Sequence, residues 1–132
     1  MTRLTLIAEL SIPAIPPSVN HYLKQRRGGG KTLTDASIEF KRTAYQAIGR
    51  YAPHKPSEKR IAVEVTYYPA RKGDSDIDNR NKLVMDALVE AQFIVDDSQI
   101  DEILMKRGKE IITGGRTDLI VCEIDDRRQL SK

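Results

Sequence analysis

The chain has 132 residues, 39% hydrophobic and 31% charged, which excludes wholesale disorder and suits one domain around a single core. The net charge is only +3, and a single cysteine, Cys122, excludes an internal disulfide. With His21 and His54 as its only histidines, the chain is not expected to hold a zinc cluster.

The first ten residues carry Glu9 inside a short apolar run and lack a cleavage site, so neither a signal peptide nor a membrane span is expected there. The cytoplasm is the expected compartment, with no membrane partner. Leu4, Leu6, Leu10 and Ile12 keep even spacing and predict a half-buried strand, which Pro13 and Pro16-Pro17 end. In the loop that follows, His21 and Tyr22 could stack on a base or sugar and Asn20 could bond a phosphate, or Tyr22 could fold onto the core.

Residues 24–33 form a basic, glycine-rich stretch. Gly30-Lys31-Thr32 invites a phosphate-loop reading, but Gln25 stands where that motif needs its first glycine and no apolar strand leads in. No nucleotide cofactor is expected. Lys24, Arg26, Arg27 and Lys31 read instead as a mobile basic loop that touches DNA phosphates, or as a solvated loop without a ligand.

Thr34 or Asp35 can cap a helix running to about Tyr51, with Phe40, Ala44, Ala47, Ile48 and Tyr51 as its apolar stripe. Lys41 and Arg42 fall off that stripe. Residues 61–68 alternate and are β-branched or aromatic, which predicts a strand ending at Pro69. Basic residues dominate 24–60, whereas acids gather in 61–104. That split suits a protein that holds a polyanion, or is two ordinary solvated surfaces.

Asp74, Asp76 and Asp78 alternate with other residues, and in an extended segment their carboxylates converge on one side. Carboxylates that close repel unless a hard cation such as Mg²⁺ or Mn²⁺ joins them, which points to a metal site for phosphoryl chemistry. A calcium-loop reading fails, because Asn79 and Met85 stand where glycine and glutamate are required. The plainer alternative is a solvated turn in which Asp78 caps the next helix. That helix runs from Asp78, with Leu83, Val84, Ala87, Leu88 and Ala91 on its apolar face. Lys82 lies one turn in, on the face of Asp78, placed either to balance charge on a phosphate or to pair with Asp78.

A second acidic knot follows at Asp96-Asp97-Ser98-Gln99-Ile100-Asp101-Glu102. Asp97 can join Asp76 and Asp78 by folding back along the helix or from a partner subunit, and the sequence leaves both open. Strands near 103–109 and 117–124, around Gly114-Gly115, predict a hairpin, and 126–132 reads as a frayed tail. The expectation is one α+β domain over 1–132, with a mixed sheet of about four strands, chain order β-α-β-α-β-β, and two packed helices.

Together, Pro16-Pro17-Ser18-x-Asn20-x-Tyr22, Asp76-x-Asp78-Asn79-x-x-Lys82 and Val95-Asp96-Asp97-Ser98-Gln99-Ile100 resemble the RusA family of Holliday junction resolvases. The resemblance covers nearly the whole chain in the same order. It implies a small homodimeric endonuclease acting on branched DNA, with Mg²⁺ as cofactor and Mn²⁺ able to substitute. It further implies Asp76, Asp78 and Asp97 as metal ligands, Lys82 as a catalytic lysine and Asp96 as an accessory acid. Arg71 and Lys72, a short basic run before the motif, join Asn20, Tyr22, Lys24, Arg26, Arg27 and Lys31 as candidate DNA contacts. Two rivals stay open: a non-catalytic junction- or single-strand-binding protein, and a broader flap or fork nuclease.

Overall fold

The computed structural model describes residues 2–17, 23–73, 77 and 80–126. In chain order it contains β1 (Thr2–Ile12), β2 (Leu23–Gln25), β3 (Lys31–Leu33), α1 (Asp35–Ile48), β4 (Ile61–Tyr68), α2 (Asn81–Glu90), β5 (Ile100–Arg107) and β6 (Arg116–Asp126). Four strands form a mixed sheet in the order β1-β6-β4-β5, and β2 pairs with β3 in a small separate ribbon. The expected α+β architecture is what the structure shows.

Strand β4 is the centre of the fold. Val63, Val65 and Tyr67 point to one face and are buried with the apolar sides of both helices, while Ala62, Glu64 and Thr66 face the other way. Helix α1 buries Phe40, Ala44 and Ile48, and Thr34 caps it by accepting from the Ser37 amide at 3.2 Å. Tyr51, expected on that stripe, is exposed. The last turn tightens into a 3₁₀ turn over Gly49–Tyr51, whose shorter period rotates it away.

Helix α2 starts later than expected. Arg80, not Asp78, occupies the cap position, and it makes no side-chain capping bond. Asp78 lies outside the described residues. At the other end, the Gln92 amide bonds the Val89 carbonyl at 3.0 Å and the Phe93 amide bonds that of Leu88 at 2.9 Å. This is a Schellman closure, and it holds Gln92 at φ 66°, unusual for a residue other than glycine.

Two strand expectations need correction. In β1 the ladder slips between Leu6 and Ala8, and one extra residue reverses which side chains face the core. Leu10 and Ile12 are therefore buried, while Leu4 and Leu6 are each 55% exposed. The expected 103–109/117–124 hairpin does not form. Instead β5 returns through α2 to lie parallel to β4, and β6 inserts between β4 and β1. The β5–β6 connection crosses the end of β4, with the Gly108 amide on the Tyr67 carbonyl at 2.7 Å and the Ile112 amide on that of Pro69 at 3.0 Å. That crossing needs glycine at 108, where a Cβ would stand 2.1 Å from the Tyr68 ring.

Candidate metal and nucleic-acid site

The chain leaves β4 at Tyr68 and enters α2 at Asn81, so the aspartate segment is strung between two anchored ends. Tyr67, fully buried, donates its hydroxyl to Asn81 Oδ1 at 2.6 Å, and the Asn81 amide contacts Met105 Sδ at 2.9 Å. These contacts fix the start of α2 against β4 and β5. Burial pushes the Tyr67 phenol above its ordinary value, with the nearby positive charge of Arg80 pulling the other way. Arg80 also donates to the carbonyl of Pro16, which joins the proline segment to the entry of α2.

Beyond α2, Asp96 caps a short 3₁₀ turn over Asp97–Gln99. Hydrogen bonds from the Ser98 side chain and amide hold the Asp96 carboxyl below the usual carboxylate range. Asp97, half-exposed, faces α2. Its Oδ2 lies 3.9 Å from Lys82 Nζ, and the same ammonium is 3.1 Å from Asp86 Oδ1. Lys41, Asp86, Val89, Glu90, Asp96 and Asp97 line a groove of about 230 Å³ beside these groups. Lys41 meets Glu90 at 3.1 Å across the two helices, an ion pair at the wall of this groove.

Asp97, Lys82 and Asp96 are thus brought together within one chain. Asp74, Asp76, Asp78, Asn20, His21 and Tyr22 lie outside the described residues. Among the described residues, no group of three or more acids, histidines or cysteines is placed to hold a metal, and of the three expected ligands Asp97 alone is described. The donors lining the groove are carboxylate oxygens, which suit a hard cation. Cys122 sits in β6, its thiol pushed up by burial and then by Glu64 and Glu9, and so is a poor metal ligand.

The expected basic loop is a hairpin. Its strands β2 and β3 pair Leu23 with Leu33 and Gln25 with Lys31, and Gly28-Gly29-Gly30 closes the tip at φ 90°, 111° and 77°. Lys24, Arg26, Arg27 and Lys31 are exposed along it, and Lys24 approaches Asp35 at 3.9 Å. Arg71 and Lys72 are exposed at the exit of β4.

The family model for endodeoxyribonuclease RusA matches residues 13–119, which takes in the proline segment, the aspartate segment and the Asp96-Asp97 turn. This chain belongs to the RusA family. It is similar to the crossover junction endodeoxyribonuclease of Enterobacteria phage HK97, 29% identical over 83% of this chain and 90% of the relative. It is also similar to the crossover junction endodeoxyribonucleases RusA of Escherichia coli (strain K12) and Shigella sonnei (strain Ss046), each 30% identical over 83% of this chain and 89% of the relative.

The RusA pattern as read from the sequence gives no role to three residues that the structure puts at this site. Asp86 lies 3.1 Å from the Lys82 ammonium, at i,i+4 spacing that could have flagged it. Gln99 closes the capping box opened by Asp96, a D-x-x-Q signal visible in the sequence. Arg80 had no local signal, because its partner Pro16 is distant along the chain.

Proposed function

We propose that this chain is a homodimeric, Mg²⁺-dependent endodeoxyribonuclease that resolves four-way (Holliday) junctions by paired nicks. The match to the RusA family across the aspartate segment and the Asp97 turn carries the reading. The contact between Asp97 and Lys82 within one chain supports a site completed in cis.

Asp76, Asp78 and Asp97 would hold the metal, with Mn²⁺ able to replace Mg²⁺. When bound, that ion makes a nucleophilic water more available and stabilises the leaving 3′ oxygen. Lys82, on a flexible stem, would turn toward the scissile phosphate and balance its growing negative charge. Asp86 and Asp97 hold the ammonium nearby until the phosphate arrives. The exposed cations of the β2–β3 hairpin, with Arg71 and Lys72, would grip the phosphate backbone with little sequence reading. A two-fold dimer matches the approximate two-fold symmetry of a four-way junction and sets one site on each opposed strand. The working compartment is the cytoplasm of a bacterial or phage-infected cell. Among the described residues, no helix is long and apolar enough to cross a membrane.

The test is a labelled synthetic junction with added Mg²⁺. Paired symmetric nicks that vanish in Asp76→Asn, with junction binding retained, are expected. Binding without product would instead make this a non-catalytic junction binder. Equal cutting of forks and linear duplex would make it a nuclease of broader taste.

A further inference from the structure

The turn that carries Asp97 has almost no apolar anchorage. Residues 95–98 are all exposed, so hydrophobic burial does little to fix where the Asp97 carboxylate stands. One buried polar side chain does that instead. Gln99 is 7% exposed, and every partner of its amide group is a main-chain atom. Its Oε1 accepts from the amides of Val95 and Asp96, both at 2.8 Å. Its Nε2 donates to the carbonyls of Ser57 at 2.7 Å and Lys59 at 2.8 Å.

Both acceptor positions and both donors of the amide are therefore used, and they join two different stretches of chain. The acceptor side clasps the acid turn, and the donor side clasps the loop entering β4. Any other rotamer would leave several buried polar groups unpaired, so the peg has one setting. The Ser57 amide bonded to the Phe93 carbonyl at 3.0 Å and the Arg60 guanidinium bonded to the Ser98 carbonyl at 2.7 Å brace the same junction from either side.

We propose that Gln99 is a positioning residue, which sets the metal demand of the site by holding Asp97 in register with Lys82. The proposal rests on the reading of Asp97 as a metal ligand. Glutamine is the side chain the geometry requires. A glutamate of the same length could still accept from Val95 and Asp96, but its second oxygen would face the carbonyls of Ser57 and Lys59. Asparagine keeps the amide chemistry but is one carbon too short to span both stretches.

The experiment compares wild type, Gln99→Glu and Gln99→Asn for thermal melting, junction binding in EDTA, and nicking across a Mg²⁺ and a Mn²⁺ titration. Support of a ligating group typically changes metal affinity by about 10–100-fold. The variants should therefore need at least about 10-fold more metal for half-maximal nicking, recover much of their rate at high Mn²⁺, and bind junction in EDTA as wild type does. Gln99→Asn, the milder change, keeps the test readable should Gln99→Glu fold poorly. A lower rate at an unchanged metal midpoint, falling only with the folded fraction, would overturn the proposal and leave the function standing. A wild-type protein that neither binds Mn²⁺ nor nicks would overturn both.

Discussion

The ammonium of Lys82 stands 3.9 Å from Asp97 Oδ2, across the turn that separates helix α2 from strand β5. Both side chains are about half exposed, so the pair contributes little to folding, about 0–1 kcal/mol. Its meaning is positional. Asp97→Asn is expected to abolish nicking of a four-way junction while leaving junction affinity and melting temperature near wild type. Lys82→Ala should slow the chemical step by about 10²–10³-fold, the range for losing one charge-stabilising group. Single-turnover nicking at saturating Mg²⁺ separates that loss from weaker binding. Wild-type rates in Lys82→Ala would remove the lysine from the chemistry.

Asp86 is closer to Lys82 than Asp97 is, at 3.1 Å, and is the less exposed of the two acids. A lysine free to sample many rotamers would spend little time at a phosphate, so the carboxylate one turn on is proposed as its holder. Asp86→Asn should lower single-turnover nicking roughly 10-fold, equivalent to about 1.4 kcal/mol of barrier, with Asp86→Glu recovering part of it. Melting should barely change. An unchanged rate would reduce the contact to an ordinary surface pair.

How much of this was legible beforehand follows from the range over which each interaction acts. The alternation of residues 61–68 announced β4, and the spacing of Phe40, Ala44 and Ile48 announced α1, because both patterns are local. Strand partners are not local. Gly114-Gly115 looked like a hairpin turn, yet the preceding strand pairs with β4, and the turn carries the chain over the end of that strand. The even spacing of Leu4 to Ile12 was real, but the slip after Leu6 reversed its meaning. At the site, Asp97 and Lys82 were named by motif, whereas Gln99 gains its importance from carbonyls at Ser57 and Lys59 that no nearby residue foretells. The placement of Asp76 and Asp78 lies outside the described residues.

The β2–β3 hairpin carries Arg26, Arg27 and Lys31 on exposed positions around its glycine tip, the residues proposed to grip phosphate. Each phosphate contact contributes about 0.9 to the slope of log affinity against log salt on duplex arms. Replacing all three by alanine should reduce that slope by about 2–3 and weaken binding most at low salt. Cutting at saturating protein should persist. Parallel salt curves for the two proteins would show that the hairpin does not touch DNA.

Tyr67 links stability to pH through one buried hydroxyl. Its side chain is fully buried, it donates to Asn81 Oδ1 at 2.6 Å, and burial raises its proton affinity in the folded state. Tyrosine in the unfolded chain releases its proton near pH 10. Above that pH the folded state binds more protons than the unfolded state, so the free energy of unfolding falls as pH rises. The Tyr67 share of this slope is up to about 1.4 kcal/mol per pH unit until the folded phenol itself ionises. At pH 8, Tyr67→Phe should cost about 1 kcal/mol through the lost hydrogen bond, with Asn81 left short of a donor. As pH climbs past 10, the unfolded wild-type chain is stabilised by releasing a proton that the folded phenol keeps, a release the phenylalanine variant lacks, so the gap between their urea midpoints should narrow. Two midpoint curves that stay parallel from pH 8 to pH 11 would mean that Tyr67 does not stay protonated in the fold. The anchoring of α2 at high pH would then have to rest on Arg80 and its bond to Pro16.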